Sequence, residues 1–252
     1  KHLFVCLSLL MLSGTILTGC DSNSSDSKGK ESILRVNIST EPPTLDPGKM
    51  TDSTSSNILT MLFDTLVRKD LDQELVPSLA QKIDISEDGT QYTFTLRKNA
   101  LWSNGEPITA NDFEFAWKRI LDPSFASASA SLMYLIKNAE PANSGEVSLD
   151  EVGVKAIDDH TLVVNLEFPA AYFLELVSNS NFSPVNKKAA TANPKWAFEA
   201  GTSYICCGPF KLDEWKHNNY ISVKKNANYW DKDSVSLDQV KVTIVPDSST
   251  EL

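Results

Sequence analysis

The sequence predicts a mixed α/β protein, and three observations carry that expectation. Short stretches in which apolar and polar residues alternate, the period of strands, recur between residues 33 and 245. Between them run amphipathic stripes at helical spacing, one of them opened by the capping-box pattern Thr109-Ala-Asn-Asp112. The chain is 41% hydrophobic, and the roughly 220 residues past a polar N-terminal tract suffice to bury one large core or two small ones.

The elements follow in order. Leu34, Val36 and Ile38 alternate with Arg35, Asn37 and Ser39 as a first strand, which Pro42, Pro43 and Pro47 stop. Ile58, Leu59, Leu62, Phe63 and Leu66 form one stripe and predict a helix over about 54–65. Ile83 and Ile85, the turn pair Asp88-Gly89, then Tyr92, Phe94 and Leu96 read as a hairpin, and Asn104-Gly105 as a further turn. The capped helix buries Phe113, Ala116, Trp117, Ile120 and Leu121 until Asp122-Pro123 ends it. A second hairpin is expected at 152–157 and 161–166 about Asp158-Asp159, with a short helix over 170–177 behind Pro169. Strands are expected at 210–215, 220–224 and 239–245. After Pro246, Ser248-Ser-Thr-Glu251 has capping-box spacing, so a helix is expected to begin there.

The N-terminus reads differently. Lys1 and His2 precede an uncharged run from Leu3 to Leu17, too short for a stable bilayer span of roughly 20 residues. That pattern is expected of a secretory signal peptide over residues 1–19. Leu17-Thr18-Gly19-Cys20 resembles the bacterial lipobox, in which the cysteine thiol is acylated and the chain is cut before it; a plain signal peptide and a buried helix are the alternatives. Asp21 to Ser32 contains nothing to bury and is expected to be a flexible tether, reaching about 40 Å when extended.

Charge narrows the partners. Removing residues 1–19 takes away one base, Lys1, and no acid, so the net charge of −10 becomes −11. Nucleic acid and an electrostatic hold on anionic lipid are both disfavoured, leaving acyl chains on Cys20 as the expected membrane attachment. Of four cysteines, only the adjacent Cys206 and Cys207 remain in the body. They are either packed small side chains or a strained, reducible disulfide. No GxSxG elbow, HExxH helix, phosphate-cradling glycine loop or CxxC occurs, and His160 and His217 stand on separate turns as surface residues, so an enzyme is not expected and neither cofactor nor metal is called for.

Several spaced segments carry a resemblance. Glu41-Pro-Pro-Thr-Leu-Asp-Pro47, Leu62-Phe-Asp-Thr-Leu66, Thr93-Phe-Thr-Leu-Arg97, Leu101-Trp-Ser-Asn-Gly105, Thr109-Ala-Asn-Asp-Phe113, Trp117-Lys-Arg119, Gly153-Val-Lys-Ala-Ile-Asp-Asp-His-Thr-Leu162, Gly208-Pro-Phe210 and Asn228-Tyr-Trp230 stand in the order found in the oligopeptide-binding, family 5, solute-binding proteins of ABC importers. The resemblance spans about residues 33–250. It implies an α/β, two-lobed, class II periplasmic-binding-protein-like fold with an inserted extra lobe: lobe I from 33–53 and 181–252, the inserted lobe II from 54–180, and a C-terminal lobe beyond this chain. It further implies a monomeric receptor, exported and lipid-anchored on the outer face of the cell membrane, that closes on an oligopeptide and delivers it to membrane permease subunits. Dipeptide, haem, nickel chelate, cell-wall peptide or signalling peptide are alternative cargoes; a surface lipoprotein with a macromolecular partner and no transport role is the alternative of another class. The implied ligand contacts are Glu41, as partner for a peptide ammonium or backbone N–H, with Pro43 beside it, Tyr134 as an aromatic wall on a helix over 131–137, and Cys207 in a loop beside the cleft. Trp102 and Trp117 are expected in the core.

Overall fold

The computed structural model describes residues 31–246. The expected signal peptide, Cys20, the tether up to residue 30 and the helix expected from Ser248 lie outside the described residues.

Fifteen regular elements follow one another: β1 (Ile33–Ile38), α1 (Ser53–Leu62), β2 (Val67–Lys69), β3 (Leu75–Pro77), β4 (Ala80–Ile85), β5 (Gln91–Leu96), α2 (Ala110–Leu121), α3 (Ala139–Asn143), β6 (Val154–Asp158), β7 (Thr161–Asn165), α4 (Phe173–Val177), α5 (Lys187–Ala192), β8 (Phe210–Lys216), β9 (Tyr220–Lys225) and β10 (Gln239–Ile244), with short 3-10 turns between them. They build two four-stranded sheets, ordered β1-β10-β9-β8 and β4-β5-β7-β6, and the small hairpin β2-β3. The first sheet joins distant parts of the chain: β1 lies parallel to β10, with Val36 beside Val242. The other pairings in these sheets are antiparallel.

Both predicted hairpins form, and at the first the turn glycine supplies the backbone the turn requires. Gly89 takes φ +69°, donates its N–H to Ser86 O, and brings Ile85 opposite Tyr92. The buried faces of β5 and β7 then meet in register, Phe94 beside Leu162 and Tyr92 beside Val164. Helix α2 lies across this sheet. At its N-terminus the Asp112 carboxylate accepts from the Thr109 backbone N–H at 2.9 Å, as the capping box requires. Trp117 on the same helix is fully buried and donates its indole N–H to Phe182 O at 3.0 Å.

A buried acid ties the two sheets' connections together. Asp64 accepts from the Tyr229 hydroxyl at 3.0 Å, the Trp230 indole N–H at 2.9 Å, the Thr65 N–H and the Ser78 hydroxyl, so none of its lone pairs is left dry. Arg68 donates to the Tyr229 oxygen at 2.8 Å and to Asp231 at 2.9 Å. Burial, with the nearby Asp64 charge, pushes the Tyr229 phenol well above its ordinary range.

Three expectations are corrected, and β1 shows a further feature. The first helix stops at Leu62 rather than 65, because Phe63 is extended and Leu66 enters the turn before β2. The helix expected over 131–137 is a 3-10 turn at Ala130–Met133, after which Ile136 bridges to Leu166. The helix expected over 170–177 begins at Phe173. The apolar side of β1 is not covered along its length: Leu34 and Val36 are 44% and 37% exposed, although they extend the buried row of Val240 and Val242. They sit on an edge strand of the sheet.

Candidate functional site

The segment from Ser39 to Ser53, which connects β1 to α1, is clamped at three acids. Asp46 accepts both nitrogens of the Arg119 guanidinium, at 3.1 and 2.6 Å, and the Gly48 N–H at 3.0 Å. Asp52 caps α1, its Oδ1 accepting from the Ser55 N–H at 2.8 Å. At the other end, Glu41 Oε1 accepts from the Trp215 indole N–H at 2.8 Å and meets His217 Nδ1 at 2.7 Å, while Oε2 accepts from the Asn218 N–H at 2.9 Å. These contacts fasten the loop to the β8–β9 turn. Burial works to raise the Glu41 pKa, but the Asn218, His217 and Trp215 bonds outweigh it and hold the carboxyl below its ordinary value. The stabilisation this implies is present above the usual glutamate range and is lost as pH falls through the lowered value.

Two recesses open beside this segment. One, of about 290 Å³, has Glu41, Pro42, Pro43, Phe198, Trp215 and His217 as its walls. The rings of Trp215 and His217 lie 4.6 Å apart, and Phe198 is 43% exposed. The other, of about 450 Å³, is walled by polar side chains from three parts of the chain, among them Thr51, Ser53, Ser56, Ser131 and Asn179. Asn181 and Ser129 at its floor are spoken for: Asn181 donates to Pro47 O and Met50 O, and the Ser129 hydroxyl donates to Met50 O. Its rim hydroxyls are left to donate and accept elsewhere, which suits the alternating N–H and C=O groups of an extended peptide.

Of the four ligand contacts expected from the sequence, the structure brings Glu41 and Pro43 into one recess. Tyr134 lies elsewhere, half-buried, its hydroxyl donating to Asn143 Oδ1 at 2.7 Å. Cys207 is 1% exposed; its N–H donates to Leu62 O, and its Sγ accepts from the Asp64 N–H at 3.4 Å. Cys206 and Cys207 are free thiols, so the packed alternative holds and the vicinal disulfide does not form here. Burial pushes the Cys206 thiol up to about 12 and that of Cys207 well above its ordinary value. At pH 8 about one Cys206 side chain in ten thousand is then thiolate. Iodoacetamide at pH 8 therefore leaves the folded protein without modification at either residue and labels both after denaturation, as read by peptide mass spectrometry; rapid labelling of the folded protein would contradict this packing.

Sequence reasoning missed Phe198, Trp215 and His217 as a group, since they lie far from Glu41 along the chain. It also passed over the serine-rich stretch Asp52–Ser56, whose only sequence signal is the helix cap. Among the described residues no group of three or more His, Cys, Asp or Glu is placed to hold a metal ion.

Comparison with known proteins identifies the class to which this fold belongs. Residues 74–252 match the family described as "Bacterial extracellular solute-binding proteins, family 5 Middle", and the chain belongs to that family. Its relatives include the oligopeptide-binding protein OppA of Bacillus subtilis, 46% identical over 246 residues, covering 96% of this chain and 45% of the relative. The dipeptide-binding protein DppE of the same organism is 45% identical over 244 residues, covering 93% and 45%. Among solved structures, Listeria monocytogenes OppA bound to peptide superposes with a TM-score of 0.85 at 36% identity, covering 88% of this chain and 44% of that one. The family and these neighbours are solute-binding proteins, not enzymes, and the α/β fold is that of the class II periplasmic binding proteins. This chain spans about 45% of the length of the relatives it matches.

Proposed function

We propose that this chain is part of the substrate-binding protein of an ABC importer, that it captures oligopeptides in a cleft between lobes, and that it hands them to membrane permease subunits. The observation that carries the reading is the match to oligopeptide- and dipeptide-binding relatives along 96% and 93% of the chain. The hydroxyl-lined recess beside α1 supports it, because unfilled donors and acceptors at a rim suit a peptide backbone irrespective of its side chains. Residues 33–53 and 181–252 form lobe I and residues 54–180 the inserted lobe in this reading. The parallel β1–β10 pair, which joins the first and last strands of the described residues in one sheet, supports the first of these. The signal-like residues 1–19 and the lipobox-like Leu17–Cys20 support export and an acyl anchor on Cys20 at the outer face of the cell membrane; in this reading the protein acts there as a monomer.

The test is peptide binding by the full chain. A peptide mixture produces a saturable shift in tryptophan fluorescence, and Ser56→Trp, which fills the hydroxyl-lined recess from a half-buried position at its wall, weakens binding at least about ten-fold while leaving the thermal midpoint near that of the parent. No response to peptides would overturn the cargo; a full response by the Ser56→Trp variant would overturn the placement.

A further inference from the structure

His217 stands between two groups that can only accept. Its Nδ1 lies 2.7 Å from Glu41 Oε1 and its Nε2 lies 3.2 Å from the Phe198 carbonyl oxygen. A neutral imidazole has one N–H and serves one of them, whereas imidazolium has two and serves both. The three partners come from separate parts of the chain: Glu41 from the loop after β1, Phe198 from the segment between α5 and β8, and His217 from the β8–β9 turn. The Trp215 ring packs beside the imidazole, its centroid 4.6 Å away and its plane tilted by 42°.

We propose that His217 is a proton-operated bolt across this recess: doubly protonated, it holds the segment around Phe198 against the Glu41 loop, and singly protonated, it releases one of the two. The bolt is then complete while the imidazole carries both protons and the glutamate is ionised, and it opens when the ring loses one of them. The charged groups about it are few. Lys216 on its own turn is directed over the Tyr220 ring, 5.0 Å from its centroid; Lys195 and Glu199 flank Phe198 on the facing segment; and Glu41 is the one carboxylate within 4.0 Å of the imidazole among the described residues. Release frees the Phe198 ring and carbonyl, and with them one wall of the recess. As regulation of the ligand-binding face proposed above the bolt rests on that reading, but its opening is a property of the protein without ligand and can be measured apart from it.

Amide hydrogen exchange of the full chain without peptide, corrected for the intrinsic pH dependence, reads the segment 195–201, in which the Phe198 N–H donates to Lys195 O. Protection there falls at least about five-fold between pH 5.5 and pH 8 in the parent. It is independent of pH in His217→Gln, and His160→Gln behaves like the parent. Glu41→Gln, which keeps an acceptor but removes the charge that favours imidazolium, moves the midpoint to lower pH. A pH profile in His217→Gln equal to the parent's, or an unmoved midpoint in Glu41→Gln, overturns the proposal. A peptide affinity that survives while the exchange profile is flat rejects the bolt and keeps the transport reading; a pH-dependent profile without peptide binding does the reverse.

Discussion

Replacing Asp46 by alanine lowers stability by about 3–5 kcal/mol, because it leaves the Arg119 guanidinium in a site built for a carboxylate. The pair is bidentate, at 3.1 and 2.6 Å, and its side chains are only 7% and 16% exposed. Neither group can turn to water without moving the segment or α2. The arginine also lies 4.0 Å above the Phe125 ring, so its place is fixed by packing as well as by charge. The companion change Arg119→Met carries its own cost, yet the double variant Asp46→Ala/Arg119→Met is more stable than the sum of the two predicts, since no uncompensated charge remains. Urea unfolding of the parent, both single variants and the double variant checks this. Additive losses would mean that the pair contributes nothing beyond its separate contacts. On the proposed peptide-binding reading, the Asp46→Ala variant also loses peptide affinity, because the clamp positions the segment that walls both recesses.

Gly208→Ala is the second large effect. A Cβ at this position would stand 2.6 Å from the Leu62 carbonyl carbon and the Phe63 nitrogen, and 2.8 Å from Met61 O. All three are backbone atoms at the C-terminus of α1, where the Gly208 N–H donates to Leu62 O at 2.8 Å, so no side chain can swing aside. The cost is about 3 kcal/mol, at the upper end for overpacking, and lowers the thermal midpoint by roughly 6–12 °C in a domain of this size. At Gly145 a Cβ would meet nothing within 4 Å, and alanine there costs only the left-handed backbone penalty at φ +80°, about 1–2 kcal/mol. A scanning calorimetry trace in which Gly208→Ala melts no lower than Gly145→Ala would refute the close approach.

Where structure depends on neighbours in the chain, reading the residues sufficed. The β4–β5 hairpin needs a left-handed glycine two residues from alternating apolar positions, and Ser86-Glu-Asp-Gly89 supplies it; α2 needs a cap and a stripe, and Thr109 to Leu121 contain both. The hairpin β2-β3 escaped notice because three-residue strands are shorter than any period can establish. The turn at 130–133 was read as helix because its apolar residues suit either structure, and the choice fell to the Ile136–Leu166 bridge, a long-range contact. The candidate site divided in the same way. Glu41 and Pro43 could be singled out from their motif, but what Glu41 does could not, because its three partners lie more than 170 residues away.

By itself, then, the order of residues determined the longer strands, the helices α1 and α2, the two main hairpins and the family, which rest on local backbone preference or on spaced motifs, while β2, β3, α3 and α5 were not legible in it. Only the tertiary structure decided that Glu41 binds its own protein at both oxygens, that Cys207 is enclosed, and that Ser53 and Ser56 share a recess with Ser131 and Asn179. The reason is physical: hydrogen-bond satisfaction and burial are set by which distant segments meet, and a one-dimensional pattern records the need for a partner without recording who the partner is.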